Sequence, residues 1–256
     1  MNGELYQLLR LALYMKDSMR GNKGSEFKRI GYEHGMSFSF SPDSGPGAEE
    51  KCYDARLWVE GLERRKLKAV NLLCFFEKND PKLAGFSNAE KQGIVTEYES
   101  GTKTIWIAKW AYNKAQKGWM TYYIEEKCPD LSDADFVYLN CRDEFEEVLS
   151  DIQKLAQTIG ALHFAQVFGS AYDILTGSVE PAIPVWAQDT MLSLDGEALR
   201  LFAAASRADV FGGMGSWNDD PSGMAYMKGL SDEYDRLSNA LYNVIRMAVM
   251  TAVNSQ

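Results

Sequence analysis

A chain of 256 residues with 46% hydrophobic, 25% charged and 12% aromatic residues has the composition of a folded soluble protein, and the length of one large domain or two small ones. Its net charge of −9 excludes the broadly basic surface that non-specific nucleic-acid binding needs. No window approaches the roughly 18 consecutive apolar residues of a membrane span.

The elements are predicted in chain order. At the N-terminus, Leu5, Leu8, Leu9 and Ala12 fall at helical spacing, which predicts an amphipathic helix packed on a core. Glu4 and Arg10 do not fit the basic start and apolar run of a secretory signal, so a cytoplasmic protein is expected. NKGSEFKRIGYEHG reads as mixed helix and turn, with His34 beside Gly35 at a helix end. MSFSFS alternates as a half-buried strand, and PDSGPGAEE is a loop. A helix is expected over Glu49–Lys66, then a strand in AVNLLCFFE (Ala69–Glu77) and a break at KNDPKLAG. KTIWIAKWAY and GWMTYYIEE, rich in strand-favouring residues, flank NKAQKG as a hairpin. FVYLNC (Phe136–Cys141) adds another strand.

From Asp143 to Ile159, Phe145, Val148, Leu149, Ile152, Leu155, Ala156 and Ile159 line one helical stripe. Asp143 and Glu144 suit the positive end of that helix dipole. ALHFAQVFGSAYDILTGS holds a further helix, with His163 as a hydrogen-bonded structural histidine. Pro181 and Pro184 mark a linker. Beyond it, Asp195 can cap GEALRLFAAASRA, and Ser231 can cap a last helix. That helix aligns Tyr234, Leu237, Leu241, Val244, Ile245, Ala248 and Ala252. The expected fold class is α+β: an antiparallel sheet with packed helices over 1–178, and a helical module over 185–256.

Cys52, Cys74, Cys128 and Cys141 form no CxxC pair, and the histidines are His34 and His163. Neither a zinc site nor a disulfide framework is expected, and the thiols read as buried small hydrophobes. Charge, by contrast, is concentrated. Between Glu125 and Asp151 stand ten acidic residues, opposed by Lys127 and Arg142. Such a segment repels nucleic acid and attracts a basic protein; its plainer reading is a solvated helix face and loop. Asp130, Asp133, Asp135, Asp143, Glu144, Glu146, Glu147 and Asp151 are its candidate partner-binding residues.

FGGMGSWNDD (Phe211–Asp220) is the one glycine-dense loop with an aromatic plug. It lacks the lysine and preceding strand of a phosphate-binding loop, and the spacing of a dinucleotide fingerprint. Ser216 with His163 and Asp219 composes a hydrolytic set on paper, but Met-Gly-Ser-Trp-Asn is not the Gly-x-Ser-x-Gly elbow. Nor does NDDPSG carry the alternating ligands of a calcium loop. The structural reading is stronger. Gly212 ends the preceding helix in a left-handed conformation, Gly213 and Gly215 permit close approach or positive φ, and Phe211, Met214 and Trp217 plug the core. Asn218 or Asp219 caps the next helix, with Pro221 near its first position.

FGGMGSWND also resembles the Gly-Gly-Met-Gly-Ser-Phe/Trp-Asn-Asp signature of a family of small uncharacterised bacterial proteins. In that family a helix precedes the signature and an amphipathic helix follows, an order repeated here over roughly 185–256. The chain departs after Asp219, where DPSGMAY replaces an apolar run. Some members look like immunity proteins of polymorphic toxin systems. The resemblance therefore implies a non-enzymatic protein, without metal or cofactor, that covers the active site of a cognate toxin. That toxin would be basic, a nuclease in particular, and neither nucleic acid nor membrane would be bound directly. The signature residues Phe211, Gly212, Gly213, Met214, Gly215, Ser216, Trp217, Asn218 and Asp219 would be structural. An uncharacterised hydrolase using the loop, or a scaffold protein, is the alternative.

Overall fold

The computed structural model describes residues 2–22, 26–41, 51–75, 80–132, 135–181 and 193–256. Among these residues the chain forms six strands and seven helices, an α+β fold with a mostly antiparallel sheet. Contacts divide it into two compact units: 4–73 with 92–136, and 1–3 with 74–91 and 137–256. The expected linker at Pro184 and the loop 42–50 lie outside the described residues. The helices of 141–176 belong to the same unit as those after residue 193.

In the first unit the strands are β1 (Glu33–Ser39), β2 (Lys51–Cys52), β3 (Leu67–Cys74, its last residue grouped with the other unit), β4 (Gln92–Tyr98), β5 (Lys103–Asn113) and β6 (Gly118–Lys127). Their order in the sheet is β2-β1-β6-β5-β4-β3. β5 and β6 form the expected antiparallel hairpin, closing at Asn113↔Gly118. The Asn113 side chain accepts from the backbone N–H groups of Ala115 and Gln116, a turn device characteristic of asparagine. β1 runs parallel to β6, the one departure from antiparallel pairing among the registers.

Several expectations need correction. Residues 33–35 extend β1 rather than a helix, and His34 is an exposed strand residue. The helix expected from Glu49 is preceded by β2 and becomes α2 (Ala55–Arg64), because the Asp54 carboxylate caps it by accepting from Leu57 N at 2.7 Å. β4 was not among the expected strands. Its first five residues are all buried, and burial on both faces erases the alternation that marks a strand. FVYLNC forms no strand; Tyr138 turns the chain into the next helix and donates its N–H to Thr251 Oγ1.

α1 (Gly3–Met19) is not one-sided. Leu5 to Leu13 are buried without interruption, so its polar members need partners inside. Gln7 accepts from the Tyr123 hydroxyl, and Arg10 pairs with the buried Glu33 carboxylate at 2.9 Å. An aromatic core fills the unit. Phe38 stacks on Trp58 at 4.4 Å and on Tyr123 at 4.9 Å, while Trp106 meets Phe38 edge-on. Each ring buries a large apolar area and adds quadrupole complementarity.

The second unit is helical: α3 (Cys141–Ile159), α4 (Leu162–Thr176), α5 (Gly196–Ala208), α6 (Asp220–Met227) and α7 (Ser231–Asn254). α3 packs on α4 and α7, and α5 on α4 and α7. The predicted α3 stripe is buried in full, and Gly160 ends that helix at φ 89, a conformation costly for other residues. Asp195 caps α5 as expected, accepting from Ala198 N at 2.9 Å. Ser231 does not cap α7; it is the first helical residue, with Leu230 before it.

Inside this unit Arg246 is fully buried. Its guanidinium donates to Glu90 at 2.8 Å, lies 3.6 Å from Asp209 and sits over the Tyr242 ring. Burial alone would raise the Asp209 carboxyl, but Arg246 and the N–H groups of Asn2 and Phe211 hold it below the ordinary value. All four cysteines are free and buried, and burial pushes the thiols of Cys74 and Cys141 up to about 12. No helix among the described residues is long and apolar enough to cross a membrane.

Candidate functional site

The acidic segment does not share one fate. Glu125 points inward: its carboxylate accepts from Arg65 at 2.8 Å, Thr104 at 2.8 Å and Ser41 N at 3.0 Å, with Tyr98 at 3.3 Å. It is a buried hub of the sheet unit. Asp130 is exposed, Asp133 lies outside the described residues, and Asp135 is held in a local turn by Ser132 N and Oγ. Those hydrogen bonds hold the Asp135 carboxyl below the usual range. Asp130 and Asp135 belong to the sheet unit, whereas Asp143 to Asp151 belong to the helical one.

The helical group shares an amphipathic cause. α3 buries its apolar stripe, which turns its acids to solvent. Asp143, Glu144 and Glu147 are exposed. Glu146 pairs with Arg142, which also reaches Glu197 on α5 at 2.9 Å, and Asp151 pairs with Lys154. Acids at the start of α7, where Asp232 and Glu233 suit the helix dipole, join them. Glu233 is held below its ordinary value by its bond to Arg236, against which Asp151 acts. Arg236 is held charged first by Glu233 and further by Asp151 and Glu147. One carboxylate-rich face thus runs from α3 to the start of α7. SDEYD is legible as acidic in sequence, but nothing there places it beside α3.

The signature loop has an inside and an outside. Trp217 is fully buried; its indole N–H donates to Ser238 Oγ at 2.8 Å, and its ring stacks on Tyr234. Phe164 and Phe168 meet the same ring edge-on. Asn218 donates to the Pro81 carbonyl at 2.7 Å, and the Asp219 carboxylate accepts from Gly215 N at 2.8 Å. The expected helix cap is therefore absent: Asp219 restrains its own loop, and Asn218 reaches back to the 80s turn. Pro221 does sit in the first turn of α6.

Two further expectations are corrected. The left-handed glycine is Gly215 (φ 76), not Gly212, because α5 already ends at Asp209. The close backbone contact is permitted by Gly85 instead: a Cβ there would fall 3.0 Å from Gly212 C and Gly213 N, whereas a Cβ on Gly213 would meet nothing within 4 Å. Of the three expected plugs, Trp217 fills the core, Phe211 half-buries against Tyr242, and Met214 is 99% exposed.

The hydrolytic set is not assembled. Ser216 Oγ accepts from Asn218 N, Asp219 is committed to Gly215 N, and His163 is an exposed residue edge-on to Phe164. His163 is thus no buried structural histidine either. Among the described residues no three His, Cys, Asp or Glu side chains are grouped as metal ligands. A cleft of about 460 Å³ lies beneath the loop, lined by Asp80, Lys82, Asn218, Tyr234 and Asp235 among others. Comparison with protein-family models, curated proteins and solved structures gives no match.

Proposed function

We propose that this chain is an acidic binding protein of the immunity type, which neutralises a basic protein toxin by covering its active site. The observation that carries the reading is the outward carboxylate face of α3 and the start of α7. Carboxylates outnumber the interspersed Arg142, Lys154 and Arg236 on this face, and such a net excess raises the encounter rate with a basic partner and disfavours acidic ones. The likeness of residues 211–219 to the bacterial signature points the same way. Asp130 and Asp135 lie on the other unit, so the interface is drawn on the helical carboxylates.

The test is co-purification of a basic partner from cells that express the chain natively, followed by kinetics on the purified pair. Glu144→Lys with Glu147→Lys should slow association at least tenfold at low salt and flatten its salt dependence. Both side chains are exposed, so thermal stability should hold. Unchanged association would sink the reading.

A further inference from the structure

Met214 is the apolar residue that the loop does not use. The loop is fixed by Trp217 in the core, by Asn218 on Pro81, by Asp219 on Gly215 N and by Trp217 N on Val210 O. With the loop anchored in this way, Met214 at its tip stands 99% exposed. Across the Gly85 contact with Gly212 and Gly213, the 80s turn carries Phe86 at 67% and Leu83 at 47% exposure. The backbone contact places Phe86 and Met214 one residue to either side of it.

Carboxylates border this apolar projection. Asp219 and Asp220 are exposed on the loop and the first turn of α6. Lys82 bridges to Asp235 of α7 at 3.1 Å, in the same turn as Glu233, where the α3 face arrives. The arrangement is an apolar contact at the edge of a steering surface. Binding energy in protein interfaces concentrates in a few desolvated anchors, with charged rims setting encounter rate. A rigid loop holding its anchor ready loses little entropy on binding, and methionine adapts to irregular pockets.

We propose that Met214, with Phe86 beside it, is the anchor that a basic protein partner receives in an apolar pocket. This rests on the proposed function and names the contact within it. A second copy fits poorly, since an isologous contact would bring the same acids face to face. An anionic lipid surface would likewise be repelled.

The experiment places a photo-crosslinking benzoylphenylalanine at position 214 in cells that express the chain natively, with position 114 on the β5–β6 hairpin as control. The trapped partner is then purified and titrated against Met214→Ala, Met214→Asp and Phe86→Ala. A basic protein should crosslink from 214 and not from 114. Met214→Ala should weaken it at least tenfold through faster dissociation, leaving the slope of affinity against salt unchanged. Met214→Asp should weaken it further, and Phe86→Ala by a smaller factor. Thermal stability should be unaltered, because the Met214 side chain packs on nothing. No crosslink, a crosslink only to another copy, or a basic partner indifferent to both Met214 variants overturns the anchor. In the last case, sensitivity to Glu144→Lys with Glu147→Lys leaves the proposed function standing. A partner that needs Met214 but is acidic and salt-insensitive overturns both.

Discussion

The acidic segment and the glycine loop each divide between interior and exterior, and they divide in opposite senses. Within 125–151 the outward acids of α3 are what composition suggests, while Glu125 is buried as a structural hub. Within 211–219 the restraints are structural, while Met214 is left entirely in water. What decides each case is whether the fold brings a partner. Glu125 meets Arg65 and two hydroxyls; Trp217 meets Ser238 and three rings; Met214 meets none. Residue type alone would have sorted Glu125 and Met214 the wrong way round.

The largest test of that contrast is removal of the buried acid. Glu125→Ala should cost about 3–5 kcal/mol, because it strands Arg65, whose side chain is only 9% exposed, without its counter-charge. Glu147→Ala, which removes an exposed acid from the outer face of α3, should stay within about 0.5 kcal/mol. Chemical denaturation of the two variants checks it. Equal losses would mean that the interior and exterior assignment within the segment is mistaken.

Periodicity made much of this fold legible. The α3 and α7 stripes, the β5–β6 hairpin and the Asp195 cap depend on neighbours in sequence, and sequence displays them. Three kinds of feature were hidden for physical reasons. β4 is buried on both faces and so lacks the alternation that marks a half-exposed strand, while α1 was legible as a helix but not the burial of its polar Gln7 and Arg10. Arg246, Glu90 and Asp209 meet from positions more than 30 residues apart, and no local pattern announces such a pairing. The acidic face was half legible, since its α3 members stand together whereas Glu233 and Asp235 join only through packing. For the loop, residue types pointed to a structural turn but not to which of Phe211, Met214 and Trp217 turns inward. That depends on a hydrogen-bond acceptor 21 residues away for Trp217, and on distant anchors such as the Pro81 carbonyl that hold the loop around Met214.

A smaller effect isolates that acceptor. Trp217→Phe keeps an apolar ring in the same place but removes the N–H that reaches Ser238 and leaves a void where the indole was wider. A cost of about 1–3 kcal/mol is expected from the lost bond and the incomplete filling together. Paired with Ser238→Ala in a double-mutant cycle, the two losses should be less than additive, since either change removes the same bond. Strict additivity would show that the bond contributes nothing and that ring packing alone keeps Trp217 inside.

The smallest effect concerns an acid that is neither buried nor free. Asp135 accepts from both the N–H and the hydroxyl of Ser132, at 2.7 and 2.8 Å, and these bonds favour its charged form. Its carboxyl therefore keeps its charge as pH falls into the range where an unrestrained aspartate takes up a proton. Ser132→Ala removes the hydroxyl and retains the backbone donor, so the midpoint should move up only part of the way to the ordinary value. Carboxyl-carbon NMR titration of wild type and variant reads that shift directly. Because Asp135 is only half-buried and its two bonds are local to one turn, global stability should not follow it. A midpoint that stays put would mean the backbone N–H alone sets the charge, and a stability change would mean that this turn packs more tightly than its exposure implies.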